Sequence, residues 1–200
     1  YPNLPPYPSG KTSHAVSLLR TGDTSFNWQI KNFVKPAKSD LVIYELLLRD
    51  FDVLHSFDAI KSRLDYLQSL GINAVELMPI AEFDGNESWG YNPAFHMALD
   101  KYYGTPKAFK QLVDECHKRG MAVILDVVYN HATGQNPFYR LWNTDGGGYG
   151  GLASADSPFF NPVATHTYSV FNDFNHSKQA TRDYVKGTTQ YWIEEYKIDG

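Results

Sequence analysis

The residues best placed to do chemistry are Asp126, Asn130 and His131, which frame the run Asp126-Val127-Val128-Tyr129-Asn130-His131. Five apolar residues, MAVIL, lead into Asp126, so its carboxylate falls at the C-terminal end of a predicted buried strand. A buried carboxylate is costly unless something pairs with it, so such a position needs a structural or chemical reason. Asp126 alone would read as an Asp ending a strand. With Asn130 and His131 leaving the strand at the same mouth, an amide and an imidazole join it, and a polar ligand becomes the better reading. A second group, Ser88-Trp89-Gly90-Tyr91-Asn92-Pro93, lies on the long loop after the preceding predicted strand. Gly90 allows close backbone approach, and Trp89 and Tyr91 offer flat faces for stacking. Pinning the loop is the plainer role for Trp89. Tyr91 reads as a ligand platform.

The elements that must position these residues follow from apolar spacing. LVIYELLL, from Leu41, is a predicted strand ending in Arg49, Asp50 and Phe51. Ser56 can cap a helix whose stripe is Phe57, Ile60, Leu64 and Leu67, and Gly71 stops it. A second strand is expected at Asn73 to Met78. Thr105-Pro106 supplies an N-cap and a first-turn proline for a helix with the stripe Phe109, Leu112, Val113 and Cys116. Gly120 ends that helix, and MAVILDVV forms a third strand. Helical pattern returns from Ser177, with Val185, Trp192, Ile193 and Tyr196 on one side, and Lys197 to Gly200 read as the approach to a fourth strand.

Strands alternating with amphipathic helices imply βαβ units and a parallel sheet. Long loops after the strand ends favour a barrel, and no GxGxxG follows a strand. The expected fold is therefore α/β: a partial (β/α)8 TIM barrel, its first three βα units, with a loop-rich subdomain inserted after strand three. The expected boundaries are a Pro-rich lead-in over 1–40, three strands and two helices over 41–132, the insert over 133–176, and a helix leading to strand four over 177–200. Glu45 and Glu76 fall inside strands one and two, and read as structural carboxylates early in their strands.

Composition narrows the function classes. A formal net charge of -4 leaves no basic footprint for nucleic acid or an anionic membrane. No run approaches the roughly 20 apolar residues of a membrane span. The single cysteine, Cys116, excludes an internal disulfide and reads as a small core residue. Aromatics reach 15%, which suits either a packed core or a sugar whose C–H faces stack on rings. His96, His117, His166 and His176 share no metal-ligand spacing, and the glycosylation-like triplets at Asn86 and Asn175 are weak signals.

DVVYNH at Asp126 to His131 resembles the first signature region of the α-amylase superfamily, glycoside hydrolase family 13. WGYNP at Trp89 to Pro93, with YYGT at Tyr102 to Thr105, resembles the loop after strand two in that superfamily. VIYELLLRDF at Val42 to Phe51 resembles the branch containing pullulanases and isoamylases, and VFNDFNH at Val170 to His176 resembles a short signature near the end of its inserted domain. The resemblance runs in order from Leu41 to Gly200. It implies that Tyr91 stacks beneath the sugar at the cleavage subsite, that His131 hydrogen-bonds a hydroxyl of that sugar, and that Asp126 is a supporting carboxylate. It implies no required cofactor, with calcium as an option at Asn130 and polar contacts from Asp173 and Asn175. The nucleophile, general acid and third carboxylate of the family correspond to no residue in this chain, since the nucleophile's motif begins where Ile198 to Gly200 break off.

These readings lead to an α-glucan glycoside hydrolase of the retaining type, acting on starch, glycogen or pullulan-like chains, with the 200-residue polypeptide itself inactive. A silent α-glucan-binding protein and a transglycosylase or branching enzyme are the alternatives. Three strands alone leave open parallel edges, so partner pairing, self-association or marginal stability is expected if the polypeptide ends at Gly200. The compartment is unassigned, with periplasm or cell exterior favoured over cytoplasm.

Overall fold

The computed structural model describes residues 25–85 and 87–200, with 16–17 and 21–22. The Pro-rich opening, most of the alternation at His14 to Leu19, and Asn86 lie outside the described residues. The chain forms two units: one gathers the residues up to Ile80 with Ala98–Asp126 and Trp192–Gly200, the other joins Ala81–Met97 to Val127–Tyr191. The loop after the second strand thus groups with the segment after the third.

The first unit is built on a three-stranded parallel sheet of β1 (Ile43–Leu46), β2 (Ala74–Leu77) and β5 (Ala122–Leu125), in that spatial order. The strands are shorter than their apolar runs because the run of β1 turns at once into α1 (Leu48–Phe51), and the run of β5 ends at Asp126. Leu46, Leu77 and Leu125 stand in register and are buried. On β5 packs α4 (Pro106–Lys118), with α2 (Phe57–Ser62) against α4 and α3 (Leu64–Ser69) beside α2, and these helices bury Phe57, Ile60, Leu64, Leu67, Phe109, Leu112, Val113 and Cys116. The stripe expected as one helix is broken at Arg63 into two short ones. The caps form as their residue types require: Ser56 Oγ accepts from Ala59 N at 3.2 Å, and Thr105 Oγ1 from Ala108 N at 3.2 Å. Gly71 and Gly120 end their helices at φ +78° and +74°, values that side chains rarely adopt. Burial pushes the Cys116 thiol up to about 12, so it is a core residue and not a nucleophile.

The closing residues extend the same sheet. Asp199 N donates to Val123 O at 2.8 Å, and Leu125 N donates to Gly200 O at 3.0 Å, so the chain returns beside β5. The segment around residues 27–35 is strapped across α4. Asp114, buried on that helix, accepts from the backbone N–H of both Gln29 and Ile30 at 2.9 Å. Phe33 stacks on His117 with ring centroids 4.1 Å apart, and His117 Nε2 meets Asp199 at 2.8 Å. Lys35 Nζ donates to the Asp199 carbonyl at 3.0 Å. Residues 29–35 of the lead-in are thus packed onto this unit.

The second unit has two small sheets: β3 (Ala81–Phe83) with β4 (Pro93–Leu99), whose last two residues count with the first unit, and β6 (His131–Ala132) antiparallel to β7 (Asn172–Asp173). A short α5 (Pro137–Leu141) is capped by Asn136, whose Oδ1 accepts from Phe138 N and Tyr139 N while its Nδ2 donates to Ala94 O at 3.0 Å. The long α6 (Gln179–Tyr196) belongs to this unit up to Tyr191. The core is aromatic: Tyr139, Phe160 and Phe174 are buried, Phe160 and Phe174 stack at 4.3 Å, and Phe138, Phe159 and Tyr184 pack around them. Much of the aromatic content is therefore packing. Among the described residues, no helix is long and apolar enough to cross a membrane.

Two outcomes follow. Asp114→Ala strands two backbone N–H groups, so urea denaturation at pH 7 will show a loss of about 1–3 kcal/mol; a loss below about 0.5 kcal/mol would mean that the strap contributes no stability. The second concerns His96 in β4, where burial lowers the imidazole to about 4 from an unfolded value of 6.5. Between those values the unfolded chain binds more protons, so stability declines as pH falls through that window, by about 3 kcal/mol at pH 4. Chemical denaturation of His96→Gln against wild type will show the difference only below about pH 6.5; parallel pH profiles would contradict it.

Candidate functional site

Tyr91 and His131, 40 positions apart, meet in the second unit. His131 starts β6 and is 8% exposed, and its Nε2 lies 2.7 Å from the Tyr91 carbonyl oxygen. A carbonyl only accepts, so Nε2 carries the proton. Nδ1 is then the acceptor, and the Asn130 amide nitrogen faces it at 3.2 Å. The His131 ring is therefore held from both sides, by the main chain of one motif and by its own neighbour. The β6–β7 pairing sets its position: His131 is opposite Asp173, and Phe174 N donates to Asn130 O at 3.0 Å.

Tyr91 is 36% exposed, with its backbone fixed by that hydrogen bond. The loop before it is braced internally: Ser88 Oγ and the Asn92 side chain are 2.5 Å apart, Gly90 N donates to Ser88 Oγ at 3.1 Å, and Asn92 Nδ2 donates to Asp84 O at 2.5 Å. Gly90 takes φ +91°, which explains its place between two aromatic residues. Trp89 is 59% exposed, more than a residue buried to pin a loop would be. The sequence reading did not single out Phe171. Its ring centroid lies 5.5 Å from that of His131, it is more than half exposed, and its φ is +50°. A non-glycine residue in the left-handed region is a recurrent mark of a functional loop. Only the fold could reveal it, because nothing in VFNDFNH sets Phe171 apart from Phe174, which is core.

Asp126 belongs to the first unit, where its N–H donates to Leu77 O at 2.9 Å. The sheet register places Glu45 beside Glu76, on the face opposite to that of Leu46 and Leu77. Both are third in four-residue strands, not early in them, because the strands are shorter than their apolar runs. Neither has an ion-pair partner among the described residues. Partial burial first, then the charges of Glu45 and Asp126, raise the proton affinity of Glu76. These three carboxylates make that face acidic.

A calcium ion prefers six to eight oxygens. Asn130 is exposed and offers one amide oxygen. Asp173 already accepts from Asn161 Nδ2 at 2.7 Å and meets His166 Nε2 at 3.1 Å, while Asn175 Nδ2 donates to Asn161 Oδ1 at 2.7 Å. No group of three or more His, Cys, Asp or Glu among the described residues could hold a metal ion. The residues do not fit a calcium site as arranged.

Residues 50–146 match the family described as alpha amylase, catalytic domain. Malto-oligosyltrehalose trehalohydrolase from Saccharolobus solfataricus is 36% identical over 188 residues, covering 94% of this chain and 31% of that protein. Isoamylase 1, chloroplastic, from Arabidopsis thaliana is 30% identical over 92% of this chain and 27% of its own length. Among solved structures, a pullulanase from group B Streptococcus superposes with TM-score 0.66 and 26% identity, over 98% of this chain and 30% of that one. A mutant pullulanase from Paenibacillus barengoltzii complexed with maltotriose gives TM-score 0.66 and 27% identity, over 84% and 32%. The chain spans about a third or less of these curated relatives. The parallel sheet, the order of its strands and these matches agree, and residues 50–146 belong to the alpha-amylase catalytic-domain family, as an early part of its (β/α)8 barrel.

Proposed function

We propose that this chain is the sugar-binding early part of a retaining α-glucan hydrolase. The observation that carries the reading is the hydrogen bond from His131 Nε2 to the Tyr91 carbonyl, which places an imidazole wall beside a partly exposed tyrosine ring in one unit. A ring face and adjacent donors and acceptors suit a sugar, whose C–H faces stack while its hydroxyls exchange hydrogen bonds. Tyr91 forms the floor, exposed Trp89 stands two residues before it, and the exposed Phe171 ring lies 5.5 Å from that of His131. A ligand hydroxyl would compete with the Tyr91 carbonyl for the Nε2 proton of His131. Asp126 is the supporting carboxylate that the resemblance implies. Retaining chemistry needs two carboxyl groups about 5–5.5 Å apart across the bond, and the resemblance assigns that pair to none of this chain's carboxylates.

Relatives named malto-oligosyltrehalose trehalohydrolases support maltooligosyl chains, including ones ending in trehalose, as the substrate class. Transfer to a second sugar would use the same platform, and product analysis separates it from hydrolysis.

In the protein at its native length, Tyr91→Ala will lower kcat/KM on maltohexaose or maltohexaosyltrehalose by about tenfold or more, the scale of one lost aromatic contact. Steady-state kinetics on both substrates reads this. Unchanged kinetics in a folded Tyr91→Ala protein would remove Tyr91 from the sugar site. The 200-residue chain alone will bind without turnover, and released reducing sugar from it would show that cleaving carboxylates lie within it.

A further inference from the structure

His96 is buried in β4 at 3% exposure, and the sugar platform does not use it directly. Its Nε2 lies 3.0 Å from the Val128 carbonyl oxygen and its Nδ1 lies 3.0 Å from the Tyr184 hydroxyl. The carbonyl can only accept, so Nε2 is the protonated nitrogen and Nδ1 receives the Tyr184 O–H. The rings of Tyr129, Phe174 and Tyr184 surround the imidazole, each with its centroid 5.7 Å away. One side chain therefore joins three pieces of the second unit: β4, which follows Tyr91; the connection through Val128, which leads into His131; and α6, which carries Tyr184.

Such a joint is more than packing. Val128 stands three residues before His131, in a stretch without regular secondary structure, and its carbonyl has a fixed donor only because His96 reaches it. A phenyl ring at position 96 would fill similar space, leaving the Val128 carbonyl and the Tyr184 hydroxyl without these partners. Gln could replace both contacts, with its amide nitrogen donating to Val128 and its oxygen accepting from Tyr184.

We propose that His96 is a positioning residue: by donating Nε2–H to Val128 and accepting from Tyr184, it holds the 127–131 connection so that His131 keeps its hydrogen bond to Tyr91. The link to glucan affinity rests on the reading given under Proposed function, whereas the effect on His131 does not.

The test uses the native-length protein with ring-¹⁵N histidine, as wild type, His96→Phe and His96→Gln. In wild type at pH 7, long-range ¹H–¹⁵N spectra will show both His96 and His131 as Nε2–H tautomers. In His96→Phe the His131 signals will shift or broaden, and kcat/KM on maltohexaose will drop about tenfold to a hundredfold, as expected when a hydrogen-bonded carbonyl loses its donor. His96→Gln will restore the His131 signals and bring kcat/KM within about threefold of wild type. An unmoved His131 signal in His96→Phe, or no rescue by Gln, overturns the proposal. If His96→Phe does not fold, His96→Gln decides alone: retained His131 signals support the role, and lost ones refute it. A wild-type protein that neither binds nor cleaves maltohexaose would sink the glucan reading while the His131 signals still judge His96.

Discussion

A single hydrogen bond, from the His131 imidazole to the main-chain carbonyl of Tyr91, ties the two segments of the candidate site together in the second unit. Those residues come from segments 40 positions apart, and neither lies in an element long enough to fix itself. β6 has two residues, and Tyr91 precedes β4 on an irregular loop. Short elements of this kind hold their shape through side-chain to backbone hydrogen bonds and a core beneath them. Here Asn136, Asn92, Ser88 and Asn172 supply the bonds. The stacked Phe160 and Phe174, with Tyr139, supply the core.

The first unit works on a different principle. Its parallel sheet sets Leu46, Leu77 and Leu125 in register on one face, and Glu45, Glu76 and Asp126 make the other face acidic. Partial burial raises the proton affinity of Glu76, and the like charges of Glu45 and Asp126 add to that rise, since like charges side by side on neighbouring strands disfavour the pair. Opposite charge or a bound polar group near this face would relieve it.

The parts of the fold legible in the sequence were those that repeat. The three strands, the Ser56 and Thr105 caps and the glycines at 71 and 120 each follow from a local rule, because apolar spacing and capping chemistry act over a few residues. The break at Arg63 was hidden, since the stripe Phe57, Ile60, Leu64 and Leu67 continues across it unchanged. The site was half legible. Tyr91 and His131 stood out by type and spacing, but their meeting through a carbonyl could not be read, because every residue has one. Phe171 was hidden among other phenylalanines. His96 read as an ordinary core histidine, and only the carbonyl of Val128 and the hydroxyl of Tyr184 on either side give it a task.

The central claim is that an α-glucan lies on the floor and wall formed by Tyr91 and His131. A crystal structure of the native-length protein with maltotriose tests this most directly. The account predicts a glucose ring face-on to the Tyr91 ring at about 4 Å, with one of its hydroxyls within hydrogen-bonding reach of His131. Maltotriose seated elsewhere, with the Tyr91 ring facing only solvent, would contradict it.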